Sequence, residues 1–339
     1  MEIITNNLNV VWFILVCVLF AGFFLLEGFD YGTGILLPFI GKTDTERRQM
    51  INALGPVWDS NQVWMITAGG AMFASFPNVY ATLFSGFYLA LFLMLAVLIA
   101  RGVAFEFRSK SANPTWRKTF DCCIFIGSLV PALLWGVTVG NLIQGTPIDA
   151  SMTYVGTFWD LLSPYTILCG IAFVLVFTYH GGLFTSIKTA GVISERARAA
   201  SLVVGVVTAV GCLALAAATY TFTDMFNSTL AIVAYAAAVV LFIISWVATR
   251  TRNTKTGFLF SSLTVIMVTV AYFAGLFPRI MVSSLNPAWS LTIDNAASSP
   301  YTLALMTVVA LVFVPIVLIY KSWMYYTFRQ RVDGKDLHY

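Results

Sequence analysis

The chain has 339 residues, of which 59% are hydrophobic and 10% charged, a net charge of +4 and a mean hydropathy of +0.85. Soluble domains carry about 25% charged residues, so this composition excludes a soluble globular domain. Repeated apolar runs of about 20 residues, enough to cross a hydrocarbon core about 30 Å thick, instead define an all-α, multi-pass membrane protein.

Nine spans are predicted, at about 8–40, 55–75, 79–101, 119–143, 162–185, 199–220, 229–249, 257–277 and 301–322, within one integral membrane domain over residues 1–339. This count sorts the basic residues. Lys42, Arg47, Arg48; Arg101, Arg108, Lys110, Arg117, Lys118; Lys188, Arg196, Arg198; Arg250, Arg252, Lys255; and Lys321, Arg329, Arg331, Lys335 fall on one side, leaving Arg279 alone on the other. Basic loops face the cytoplasm, so the N-terminus is expected outside and the C-terminus in the cytoplasm. The net charge thus reports topology and meets anionic headgroups; no nucleic-acid partner is expected. No Lys or Arg precedes the first span, and that span is too long for a signal-peptide core, so it reads as a retained first helix.

The first span is much longer than a bilayer needs and must tilt or project beyond it. It carries Glu27 and Asp30, three residues apart and on one helix face. Counting from Val10 at 1.5 Å per residue, Glu27 lies roughly 26 Å along the helix, in the cytoplasmic third. The second span is the least hydrophobic, with Asp59, Ser60, Asn61, Gln62 and Thr67 in its first turns. Such a helix cannot face lipid on all sides. It runs back from the cytoplasm, so Asp59 is expected at the depth of the other two acids. An acid in a membrane span costs roughly 3 kcal/mol on insertion scales and marks a functional site by default.

If the first two helices pack together, Glu27, Asp30 and Asp59 form one group, with Gln62 a turn from Asp59. Gly28-x-x-x-Gly32 permits close helix approach. Burial and a neighbouring acid both oppose a second negative charge, so one member is expected to keep its proton at neutral pH, as a proton relay requires. The alternative for these acids is structural pairing with Arg47, Arg48 or Arg101. On these residues alone, a proton-coupled transporter or ion channel is an equal alternative. A transporter, however, favours broken helices in matching repeats near the midplane, whereas these acids lie on two helices near one face.

Further along, Cys122 and Cys123 are adjacent near the inner end of the fourth span, and Cys17, Cys169 and Cys212 lie in apolar spans. They form no metal or disulfide pattern and read as small buried hydrophobes. His180, in the fifth span, reads as a hydrogen-bonded structural residue, and His338 lies in the tail; two such histidines do not supply paired haem ligands. The segments Gln144 to Asp160 and Pro278 to Pro300 are long for helix connectors and are expected to fold back over the outer surface or to dock a partner. Arg279 would bind a lipid phosphate or an acid of a partner.

The run LEGFDYGTGILLPFIGKTDTERRQMINALGPVWDSNQVWMITAGGAMFASFPNVYATLFSGFY (Leu26 to Tyr88) closely resembles subunit II of the bacterial cytochrome bd quinol oxidases. The resemblance continues through FEFRSK (Phe105 to Lys110), GNLIQG (Gly140 to Gly145), FSSLT (Phe260 to Thr264) and Met306 to Tyr320, and is loose over about 146–256. GFDYG, WDSNQVW and TAGGA together are specific; none is alone.

The resemblance implies a complex in the bacterial cytoplasmic membrane that oxidises a membrane quinol on the outer side and reduces dioxygen to water with cytoplasmic protons. Haem b and haem d would belong to the larger subunit I, and this chain would be its haem-free partner, with no catalytic or metal-binding residue of its own. The implied architecture is two four-helix bundles plus one helix. Asp59 would lie on a proton path at the subunit interface, with Glu27, Asp30 and Gln62 along it. Trp58 and Asp59 would be contacts for a quinone or lipid. Which quinone is used, whether a small single-span subunit joins, and whether a quinone binds this chain stay open.

Overall fold

The computed structural model describes residues 7–334 and residue 337; His338 and Lys335 lie outside them. Helix α1 (Leu8–Ile40) has the limits expected of the first span. After the Gly41 turn comes a helix that hydropathy does not reveal, α2 (Asp44–Leu54). Its start is a capping box: the Glu46 amide donates to Thr43 Oγ1 (3.3 Å) and the Thr43 amide to Glu46 Oε2 (3.1 Å), so two otherwise orphaned donors are satisfied. The helix buries Met50, Ile51, Ala53 and Leu54 beneath the bundle.

The polar second span is α3 (Trp58–Ser75). The next expected span, 79–101, is not one helix. Pro77 opens the short α4 (Pro77–Gly86), and the chain restarts at Phe87 as α5 (Tyr88–Phe107). Gly86, the last residue of α4, packs under a ring of the connection Gln144 to Asp160: a Cβ there would lie 2.7 Å from Tyr154. The crossing segment is Tyr88–Lys110, shifted along the sequence, so Arg101 lies inside a helix and not in the loop where the sequence placed it.

The remaining helices are α6 (Pro114–Gln144), α7 (Pro164–Lys188), α8 (Val192–Phe222), α9 (Thr229–Arg250), α10 (Thr254–Leu276) and α11 (Pro300–Thr327). Asn113, Ser163, Ser228, Asn253 and Ser299 cap α6, α7, α9, α10 and α11 with side-chain acceptors, as helix starts require. Eight helices in the described residues are long and apolar enough to cross a membrane; the polar α3 is not among them.

Helix α1 is the hub, packed against α3, α6, α7 and α10. Its closest crossing is with α7, where a Cβ on Gly32 would overlap the Phe177 carbonyl oxygen and lie 3.0 Å from Gly181 Cα. Helix α9 packs on α10 and α8 on α7, while α11 touches α1 and α3 at the edge. Only 6% of the most apolar window of α11 is buried, against 61% for α7.

One end of the molecule is a charged mat. Asp121 pairs with Arg47 (2.8 Å) and Arg108 (2.5 Å), Asp44 with Arg108 and Arg117, and Glu46 with Arg196. The C-terminal segment joins this end, where Gln49 donates to the Val332 and Ala190 carbonyls. At the other end the two long connections fold back as expected. Strands β1 (Arg279–Met281) and β2 (Leu291–Thr292) pair antiparallel, and Thr146 bridges to Ser283. Arg279 finds an acid within the chain, Asp224 at 2.8 Å. Asn9, beside the start of α1, donates to Asp294 at this end.

Candidate functional site

The GFDYG segment of α1 lies wholly inside the protein: Glu27, Asp30 and Tyr31 are fully buried. Asp30 forms an ion pair with Arg101 of α5, and neither side chain reaches the surface. Arg101 Nε donates to Ser128 Oγ of α6 (3.0 Å), and its guanidinium lies 5.3 Å from the Tyr31 ring and 4.8 Å from the Phe105 ring. Gly127 makes this fit, since a Cβ there would meet the Arg101 side chain at 2.5 Å. A buried pair survives only with such extra hydrogen bonds and close geometry, because desolvating two ions costs several kcal/mol each.

The other carboxylate oxygen of Asp30 accepts from Asn61 Nδ2 of α3 at 3.5 Å. Tyr325 of α11 donates its hydroxyl to Asn61 Oδ1 (2.7 Å), and one turn earlier Lys321 Nζ donates to the Ser60 carbonyl. Four helices and the edge helix thereby meet in one polar cluster. Among the described residues, the Glu27 carboxylate, the Tyr31 hydroxyl and Arg101 Nη1 are buried without a hydrogen bond of good geometry, the Tyr31 hydroxyl being the neighbour of the Glu27 carboxylate. Spare donors and acceptors in one buried place suit transient proton or water occupancy.

Of the residues expected here, Glu27 and Asp30 are together, but Asp59 does not join them. It is exposed on the flank of α3, and the expected group of three acids is divided. The reason is rotation: Asp59 and Asn61 are about 200° apart around the helix, and Asn61 faces α1. Gln62 is half-buried, and the stripe from Asp59 through Ile66 to Phe73 points outward. Trp58 stacks on Phe105 with centroids 5.2 Å apart.

Sequence reasoning offered Arg101 as one of three possible structural partners of the acids, and missed Asn61, Tyr325 and Lys321 as members. A buried acid demands a cation, which was a signal for Arg101; the Lys321–Tyr325 spacing of one turn was a weaker one. His180 is satisfied on both ring nitrogens, by Ser261 Oγ (2.9 Å) and the Leu25 carbonyl (3.2 Å). Cys17 and Cys169 are buried as expected, but Cys122 is exposed.

An apolar cavity of about 570 Å³ lies between α1, α3, α4, α5, α6 and α10, walled by Phe24, Ile66, Phe73, Leu95, Trp135 and Phe273. Trp135 Nε1 is buried there without an acceptor. Neither Trp58 nor Asp59 lines it.

Together these features define a multi-pass helical membrane protein with a carboxylate–guanidinium site buried toward its basic end. The profile of the cytochrome bd terminal oxidase subunit II family matches residues 8–328. The cytochrome bd ubiquinol oxidase subunit 2 of Bacillus subtilis (strain 168) is 43% identical over 337 residues, covering 97% of this chain and 98% of the relative. The cytochrome bd-I ubiquinol oxidase subunit 2 of Escherichia coli (strain K12) is 39% identical over 366 residues, covering 97% and 96%. A chain in the structure of bd oxidase from Geobacillus thermodenitrificans superposes with a TM-score of 0.77 over 95% of this chain and 98% of that one; at 16% identity this speaks for the fold alone.

The chain belongs to the cytochrome bd terminal oxidase subunit II family. It is therefore one subunit of an oxidoreductase of the respiratory chain, a multi-pass protein of the bacterial inner membrane, and implies a partner subunit I.

Proposed function

We propose that this chain is the haem-free half of a quinol:oxygen oxidoreductase, scaffolding the haem-bearing subunit I and leading cytoplasmic protons to the site where dioxygen becomes water. Nine crossings, with α3 included, fit the N-terminal helix start and the C-terminal segment lying at opposite ends of the molecule. The charged mat, as the basic end, faces the cytoplasm by the positive-inside rule. Haem b and haem d belong to subunit I in this reading.

One observation carries the proton role: Glu27 is fully buried beside the Asp30–Arg101 ion pair and has no ion pair of its own among the described residues. A buried carboxylate without an ion-pair partner is costly to keep charged, so Glu27 is a group that takes up and gives back a proton. From the cytoplasm a proton passes Glu27 and Asp30 and leaves through Asp59, which is exposed on the flank of α3 and available to subunit I. A transporter or channel is disfavoured, since the cluster ends on an outward face and not in a second access path.

A quinone on this chain finds no enclosed site at Trp58 and Asp59, because Trp58 is stacked and Asp59 exposed. The apolar cavity, with the spare Trp135 N–H as donor to a carbonyl, fits such a ring better.

The test is oxygen consumption by the purified complex carrying Glu27→Gln or Asp59→Asn, with haem content measured alongside. Full haem with turnover lowered at least about tenfold is expected, the lower range of what a positioned proton-transfer group contributes. Full haem with unchanged turnover would reduce both acids to scaffold.

A further inference from the structure

Three carboxylates and two cations make up the charge set here: Glu27 and Asp30 buried in the polar cluster, Asp59 exposed on its flank, with Arg101 and Lys321. Fully ionised it is one negative charge in excess, so neutrality calls for one proton. Arg101 is committed to Asp30. The second cation, Lys321, is half-buried on α11 and bonded to the carbonyl of Ser60, the residue after Asp59. Its ammonium lies within electrostatic reach of Glu27 and Asp59, the buried and the exposed acid. The nearby phenols are Tyr31 and Tyr325. Helix α11 is otherwise almost bare toward the protein, yet at this end it delivers Lys321 and Tyr325 to the two faces of one α3 turn.

We infer that Lys321 is a positioning residue for proton transfer, the charge that lets Glu27 and Asp59 share one exchangeable proton. This rests on the proton-path reading above. While the proton is on one acid, the ammonium balances the ionised form of the other, so the transfer does not create an uncompensated charge in the membrane. Without it, Arg101 alone faces three acids. The cluster then takes up a second proton, holds it more tightly, and releases it more slowly, because a neighbouring opposite charge favours the ionised form.

The experiment measures oxygen consumption against pH for the complete complex carrying Lys321→Met, Lys321→Arg or Glu27→Gln, with haem content determined for each. Lys321→Met is expected to keep its haem and lose about tenfold in turnover, with the alkaline limb of its pH profile moved up by about one unit, the lower end of what a neighbouring charge does. Lys321→Arg keeps the charge and is expected to stay within about twofold of wild type with an unmoved profile, since only geometry changes. Wild-type turnover and profile in Lys321→Met, alongside a slow Glu27→Gln, would overturn this inference and leave the proton path standing. Wild-type turnover in Glu27→Gln would overturn both. If Lys321→Met loses its haem, the pair Lys321→Met with Glu27→Gln removes one charge of each sign and is expected to recover it. Failure to recover would make Lys321 a packing residue and sink the inference.

Discussion

Asp30 and Arg101, separated by 71 positions in the chain, form an ion pair in which neither side chain is exposed. The pair ties α1 to α5, and its second-line contacts, Asn61 and Ser128, bring in α3 and α6. Removing one partner strands the other charge in a medium that cannot solvate it. Asp30→Asn or Arg101→Gln is therefore expected to cost about 3–5 kcal/mol, read as loss of assembled complex in membrane extracts. Replacing both, as Asp30→Asn with Arg101→Met, is expected to restore much of the assembly. Equal loss in single and double variants would show that the pair's charges are not what the fold depends on.

The α1–α7 crossing makes its own prediction. Gly32→Ala pushes a methyl onto the Phe177 carbonyl oxygen, which backbone cannot yield cheaply. Overpacking of this kind typically costs about 1–3 kcal/mol, so the purified complex should melt several degrees lower. Gly70→Ala is the control: nothing lies within 4 Å of that Cβ, and its melting temperature should match wild type.

Outside the membrane, Glu46 links the α2 cap to the α7–α8 turn. Partial burial pushes its carboxyl up, but the Thr43 and Lys42 amides and Arg196 outweigh it and leave the group below its ordinary value of 4.5. A depressed carboxylate adds stability that is present above the ordinary value and lost as pH falls through the folded-state one. Thermal stability of wild type should therefore decline below about pH 4.5 more steeply than that of Glu46→Gln. The cap is half-exposed and screened, so the difference should stay under about 1 kcal/mol.

Tyr325→Phe removes the hydroxyl that Asn61 accepts and leaves a buried amide oxygen unsatisfied. The expected cost is about 1–3 kcal/mol, with turnover reduced because Asn61 loses its hold beside Asp30. Pairing it with Asn61→Leu removes both polar ends, and the double variant should be less destabilised than the sum of the singles. Strict additivity, measured by melting in a double-mutant cycle, would argue that the two side chains do not interact.

Much of the architecture was legible before any coordinates. The limits of α1 follow from a long apolar run, interrupted only around Glu27 and Asp30, that stops at Gly41. The length of both long connections pointed to folding back or docking a partner, and within the chain they fold back and pair, as at β1–β2 and Thr146–Ser283. Helix α2 was not seen, because eleven residues beginning DTERRQ are too polar for a hydropathy reading, although Thr43 and Glu46 already spelt out a capping box. The break at Phe87 leaves no mark in hydropathy, because the segments on both sides are apolar.

By itself the sequence determined that this is a helical membrane protein, which side its basic loops face by rule, that Glu27 and Asp30 share a face of α1, and through its motifs the family. Those properties depend on hydropathy and on spacing within one helix. Only the tertiary structure decided that Arg101 is the partner of Asp30, that Asn61 and not Asp59 turns inward, and that Lys321 and Tyr325 arrive from the last helix. These depend on the rotation of each helix about its axis and on contacts between distant segments. In α3, where polar residues occupy opposite faces, periodicity has no preferred direction; packing against α1 selects one.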